Sequence, residues 1–172
     1  MNDASLSRVL GVAAIVGGLL RAGSSFIPAA LWGTDPWVEL LALAIDVALL
    51  FGLMGVFFAA RARLGWAGFA AFALAETGIA SIIGPDTAAF GIDTYLAGVH
   101  AISIGLALLG IVMLLKRAGA PAAAVCWIAS LAIGAGGGAV GQGELGFLLG
   151  GLLFALGFVA AGIELVLPRE RG

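Results

Sequence analysis

Long apolar stretches separated by short polar connections run through the whole chain. Six such stretches are each long enough to cross a bilayer, which takes about 20 residues in helical form. Their continuous Leu, Ala and Gly content favours helices, because a membrane-spanning strand alternates polar and apolar residues. We therefore predict an all-α integral membrane protein, a bundle of six transmembrane helices over residues 9–32, 38–60, 64–84, 95–115, 121–141 and 145–167.

The connections between these stretches carry turn residues. The sequence GTDP precedes the second helix, RAR separates the second from the third, and GQGE precedes the sixth. Residues 85–94 form the longest connection. Pro121 is predicted in the first turn of the fifth helix, where its missing N–H is not needed.

Charged residues divide between the two sides that six crossings define. One side holds Arg8, Arg61, Arg63, Lys116, Arg117, Arg169 and Arg171, and the other holds Asp35, Asp86, Asp93 and Glu144. Cytoplasmic connections are enriched in Lys and Arg, so both termini are predicted in the cytoplasm. One crossing more or fewer would break this division.

Composition agrees with a bilayer as the solvent of this protein. The 172 residues are 62% hydrophobic and 10% charged, against about 45–50% apolar and 25% charged in soluble domains. We predict one transmembrane domain over residues 1–172, in a bacterial inner membrane. Asp3 precedes Arg8, and apolar sequence resumes after Arg21, which favours a retained first helix over a cleaved signal peptide. The net charge of −2 without a basic run argues against nucleic acid as a partner.

Four ionisable residues fall inside the predicted helices, between the midplane and the outer surface. They are Arg21, Asp46, Glu76 and His100, on four different helices. Charges within a bilayer are costly, so they face the bundle interior or one another. With neutral His100 their charges sum to −1, and with protonated His100 to zero. Histidine titrates near physiological pH, so the group is a candidate site for a small solute or for protons; the alternative is that it only holds the helices together.

Other chemistries receive little support. His100, Ser103 and Asp46 are the residue types of a serine hydrolase, but no nucleophile elbow accompanies them, and Ser103 is expected to bond its own helix. No metal-binding spacing is present and no cofactor is predicted. The single cysteine, Cys126, cannot form an intrachain disulfide and is expected to be a buried thiol.

Glycines spaced four residues apart occur in the last two predicted helices. Gly134 and Gly138 form one pair, Gly137 and Gly141 a second, and Gly146 and Gly150 a third. Such pairs permit close helix approach, so we predict that these helices pack tightly, either with one another or against a second copy or a larger complex. Aromatic residues near the predicted boundaries form an interfacial belt: Trp32, Trp37, Trp66 and Tyr95.

Two functions remain open from the sequence. The first is binding or transport of a small solute or protons through Arg21, Asp46, Glu76 and His100. The second is a non-catalytic accessory subunit that packs against a larger membrane complex. An enzyme acting on lipid is a weaker third possibility.

Overall fold

Five long α-helices make up most of the protein in the computed structural model, which describes residues 3–83, 88–89 and 92–167. They are α1 (Asp3–Ser24), α2 (Pro36–Ile82), α3 (Thr94–Lys116), α4 (Pro121–Ala139) and α5 (Gly143–Val166). A 3₁₀ turn covers Ala29–Leu31, and two short strands, β1 (Ala88–Ala89) and β2 (Ile92–Asp93), pair antiparallel. Among the described residues these five helices are long and apolar enough to cross a membrane. The fold is that of a multi-pass membrane protein.

The helix α2 covers two of the predicted crossings, so the predicted six separate helices are not matched. The 61–63 connection stays helical, and the chain leaves helical geometry at Gly65, with φ 63° and ψ −160°. The rings of Phe57 and Phe72 stack with centroids 4.3 Å apart, although a straight helix would separate them by about 22 Å. The first arm of α2 (36–64) and its second arm (66–82) therefore lie side by side.

The first helix ends earlier than predicted. It runs from Asp3 to Ser24, whereas the apolar pattern carries the predicted crossing on to Trp32. The hydroxyl groups of Ser24 and Ser25 donate to the carbonyl of Arg21 at 2.9 and 3.2 Å. These bonds satisfy one of the last carbonyls of the helix, which have no hydrogen-bond donor within the helix itself. The helix α1 also begins six residues before the predicted start at residue 9. The outer bounds of α2 and the bounds of α3, α4 and α5 agree with the prediction to within two residues, and Pro121 occupies the first turn of α4 as predicted.

Glycine lies at the crossing point of each neighbouring helix pair. The helix α1 packs against α2 and α5, α2 against α3, α3 against α4, and α4 against α5. A β-carbon at Gly52 would lie 2.7 Å from the Cα of Ala14, and one at Gly105 would lie 2.5 Å from the backbone nitrogen of Ala75. Lipid and helix surfaces are equally apolar, so such close backbone approach is what holds a membrane bundle together.

The two ends of the bundle differ in charge. At one end the hydroxyl of Ser7 donates to the carbonyl of Leu165, and the guanidinium of Arg63 donates to the carbonyl of Arg117. This basic end carries Arg8, Arg61, Arg63, Lys116 and Arg117. The acidic end carries Asp35, Glu39, Asp93 and Glu144. Arg169, Arg171 and Asp86, together with half of the 85–94 connection, lie outside the described residues.

Exposed aromatic side chains lie at both ends. Trp66 is 86% exposed at the basic end, and Trp37 is 77% exposed at the acidic end. Their positions match the interfacial belt that the sequence predicts. Trp127 differs from them, because it is fully buried and meets Phe158 edge to face with ring centroids 5.3 Å apart.

Candidate functional site

Arg21 lies in the last turn of α1, where a cation is favoured by the helix dipole. Its Nη1 donates to the hydroxyl of Ser24 at 3.2 Å. A β-carbon at Gly151 of α5 would lie 3.6 Å from its Nη2 and 3.8 Å from the hydroxyl of Ser25. The missing side chain at Gly151 therefore leaves room for the guanidinium where α1 meets α5.

A further helix brings an opposite charge toward this guanidinium. Asp46 on the first arm of α2 is near enough for its charge to act on Arg21. Arg21 and Asp46 are both described, yet they form no ion pair within 4.0 Å. The two opposite charges therefore lie near one another without direct contact, where α1 meets α2 and α5.

The helix contacts explain why Arg21 and Asp46 share a level in the bundle. A β-carbon at Gly17 would lie 3.0 Å from the backbone nitrogen of Leu49, and the Gly52–Ala14 contact has the same antiparallel register. Arg21 follows Gly17 by four residues, or about one helical turn, which brings it to the level of Ile45 and Asp46.

Glu76 is not part of this arrangement. It follows Phe72 by one helical turn, and the stacking of Phe72 on Phe57 places it at about the level of Leu53. Asp46 is seven residues from Leu53, so the two acids differ in level by about 10 Å. Both carboxyl oxygens of Glu76 are buried, with no hydrogen-bond partner in the described part of the chain.

His100 lies on the outside of the bundle. Its side chain is exposed, and its Nδ1 is 2.8 Å from the carbonyl of Leu96 in its own helix. Ile104, Leu108 and Ile111 continue the same exposed stripe of α3. Ser103 donates to the carbonyl of Val99 at 2.8 Å, as predicted, and these self-contained bonds do not assemble a hydrolase site.

The structure thus brings together two of the four candidate residues, Arg21 and Asp46. Gly151 also lies at this site, but as one of 28 glycines it carries no sequence signal that distinguishes it. In the described ranges, no group of three or more His, Cys, Asp or Glu side chains is placed to hold a metal ion. Cys126 is free and only half-buried, not enclosed as predicted.

The predicted glycine contact between the last two helices forms in part. A β-carbon at Gly146 would lie 2.7 Å from the Cα of Gly137, and one at Gly150 would lie 3.4 Å from the Cα of Gly134. Gly138 is exposed, and a β-carbon there would have open space. One residue of each predicted pair, Gly137 and Gly134, therefore contacts α5, whereas Gly138 lies on a different face of α4 and does not.

Comparison with known proteins adds no relative. No protein-family model, curated protein or solved structure matches this chain. The function must be argued from the residues themselves.

Proposed function

We propose that the protein binds a small zwitterionic solute between Arg21 and Asp46. The observation that carries this proposal is the separation of the two opposite charges. They interact electrostatically but form no ion pair. A guanidinium offers five N–H donors in a fork that matches a carboxylate, and only one of them has a described bond, to Ser24. The anionic group of the solute binds Arg21, and its cationic group faces Asp46.

We propose that the protein also transports this solute, because the site lies between helices inside the bundle. A charged pair between membrane helices is costly unless it serves packing or function. A pair that served packing alone would be expected to close into a direct ion pair, because the low dielectric constant rewards contact. The lack of a direct ion pair is therefore the feature that favours a solute over a purely structural role.

Thermal unfolding of the purified protein in lipid nanodiscs tests this proposal. The probes are glycine betaine and alanine as zwitterions, acetate as the anion alone and tetramethylammonium as the cation alone. A bound solute raises the melting temperature through mass action. We expect a rise with a zwitterion in the wild type and in the control His100→Gln, and none in Arg21→Gln. Equal shifts in wild type and Arg21→Gln would refute the site.

We also propose that each arm of α2 crosses the membrane, giving six crossings with both termini in the cytoplasm of a bacterial inner membrane. The 47-residue helix would measure about 70 Å if straight, more than twice the hydrocarbon thickness. The grouping of basic residues at one end supports the orientation.

Single cysteines in a Cys126→Ala background test this topology. A membrane-impermeant maleimide applied to intact spheroplasts is expected to label cysteines at the exposed positions Thr34 and Gln142, at the acidic end. Cysteines at the exposed positions Ala62 and Lys116, at the basic end, are expected to react only after the membrane is opened. Labelling of the Ala62 position in intact spheroplasts would contradict the proposed topology.

A second candidate function, an accessory or self-associating membrane subunit, is supported by one face of α4. Gly134 and Gly138, one helical turn apart, each have open space where a β-carbon would lie, and small residues allow close approach of another helix. Replacing Gly138 with Leu is then expected to release a stoichiometric partner, or a second copy, from the tagged protein while its melting temperature is kept. Retention of the same assembly would remove this candidate.

A further inference from the structure

Glu76 is a half-buried acid on the second arm of α2 whose carboxyl group is withdrawn from solvent. Both of its carboxyl oxygens are buried and lack a hydrogen-bond partner among the described residues. Neighbouring positions on the same arm, Ala75 and Ile79, are 0% and 1% exposed. An ionised carboxylate that has neither water nor a donor is far more costly than a neutral carboxylic acid.

The elements packed against this arm bring no compensating cation to Glu76. They are the first arm of α2 and α3. At the level of Glu76 they present Leu53 and, from the contact of Gly105 with Ala75, the region of Ile104. The charged and titratable groups of these two elements lie at levels other than that of Glu76. They are Glu39, Asp46, Arg61, Arg63, Tyr95, His100 and Lys116.

The nearest of these groups by level are His100 and Asp46. His100 is exposed on the outer stripe of α3 and bonded to Leu96. Asp46 lies about two helical turns away along the first arm and carries the same sign of charge as ionised Glu76. Neither group offers the Glu76 carboxyl a donor.

We infer that Glu76 is a proton-binding site in the membrane interior, occupied at neutral pH and separate from the site of Arg21 and Asp46. The inference rests on the enclosure of the carboxyl oxygens and does not depend on the proposed solute. Loss of this proton would leave a carboxylate without a donor, so proton exchange requires the arms of α2 and α3 to move apart and admit water. The site would thereby couple a proton to a change in helix packing.

Infrared spectroscopy of the protein in nanodiscs tests the inference directly. A protonated carboxyl gives a carbonyl band that an ionised carboxylate lacks. We expect this band at neutral pH in the wild type, its loss in Glu76→Gln and its retention in the matched variant Asp46→Asn. A wild type without the band, as an alkali cation bound to ionised Glu76 would produce, overturns the inference, and so does a band that survives in Glu76→Gln.

A labelling experiment on the wild type alone guards against a variant that fails to fold. The apolar reagent dicyclohexylcarbodiimide adds a protonated carboxyl across its C=N bond. The carboxyl oxygen bonds to the central carbon, the proton passes to nitrogen, and the acyl group then migrates to nitrogen without loss of any atom. Peptide mass spectrometry is expected to find this adduct at Glu76, and a water-soluble carbodiimide is expected to label exposed Glu39 and Glu144 instead. An unlabelled Glu76 with the apolar reagent overturns the proton site.

Discussion

The rings of Phe57 and Phe72 lie parallel, with 4.3 Å between centroids and 13° between planes. The two residues are fifteen positions apart in α2, so the stacking requires the chain to reverse between them. Gly65 makes this reversal with a positive φ of 63°. The position of the turn decides how α2 lies relative to the rest of the bundle and which residues share the level of Glu76.

Replacing Gly65 with Ala is expected to destabilise the protein by about 1–3 kcal/mol, because its backbone conformation is open essentially to glycine alone. A β-carbon there would meet no atom within 4 Å, so backbone strain is the sole cause. Thermal unfolding in nanodiscs measures the loss. Gly23→Ala is the control, since Gly23 also has open space but lies in α1 without a positive φ. Equal melting temperatures for the two variants would contradict the strained turn.

Replacing Gly146 with Ala is expected to loosen the packing of α4 on α5. The new β-carbon would lie 2.7 Å from the Cα of Gly137, and a backbone atom cannot move aside as a flexible side chain can. Overpacking of this kind costs about 1–3 kcal/mol. The matched change Gly138→Ala meets open space and is expected to leave the free energy of unfolding unchanged or slightly raised. Unfolding in a graded detergent series compares the free energies of unfolding of the two variants. An equal loss in both would contradict a tight contact between Gly146 and Gly137.

Arg21 and Asp46 are expected to be energetically coupled. Arg21→Gln leaves Asp46 without its nearby cation, and Asp46→Asn leaves Arg21 without its anion, so the double variant should lose less stability than the sum of the single ones. For interacting residues the difference is about 0.5–3 kcal/mol. The measurement is the free energy of unfolding of the wild type and all three variants. Strict additivity would show that the electrostatic contact is absent.

Asp35 caps the start of α2. Its Oδ1 accepts the backbone N–H groups of Trp37 at 2.8 Å and Val38 at 3.4 Å. Replacing it with Ala is expected to cost about 1 kcal/mol, whereas Ser keeps a capping oxygen and should recover most of the stability. Melting temperatures of the two variants test this, and a Ser variant as unstable as the Ala variant would show that the cap is unimportant.

The sequence by itself determined where the apolar stretches lie and where most helices end. Pro121 begins α4 because proline fits the first turn of a helix. Asp35 precedes α2 and caps it, because its side chain accepts hydrogen bonds from backbone N–H groups of the first turn. The end of α1 at Ser24 was missed, because residues 25–32 remain apolar and the hydrogen bonds of Ser24 and Ser25 have no hydropathy signal.

Only the tertiary structure decided which way each helix faces. A membrane helix is apolar on all sides, so its sequence does not tell the bundle interior from lipid. For that reason Gly137 and Gly138 look alike in sequence, although only Gly137 touches α5. For the same reason the sequence did not show that His100 faces outward or that the carboxyl group of Glu76 is buried without a hydrogen-bond partner among the described residues. Arg21 and Asp46 lie at one level because α1 packs antiparallel on the first arm of α2. Close backbone contacts set the register of this packing, which cannot be inferred from composition.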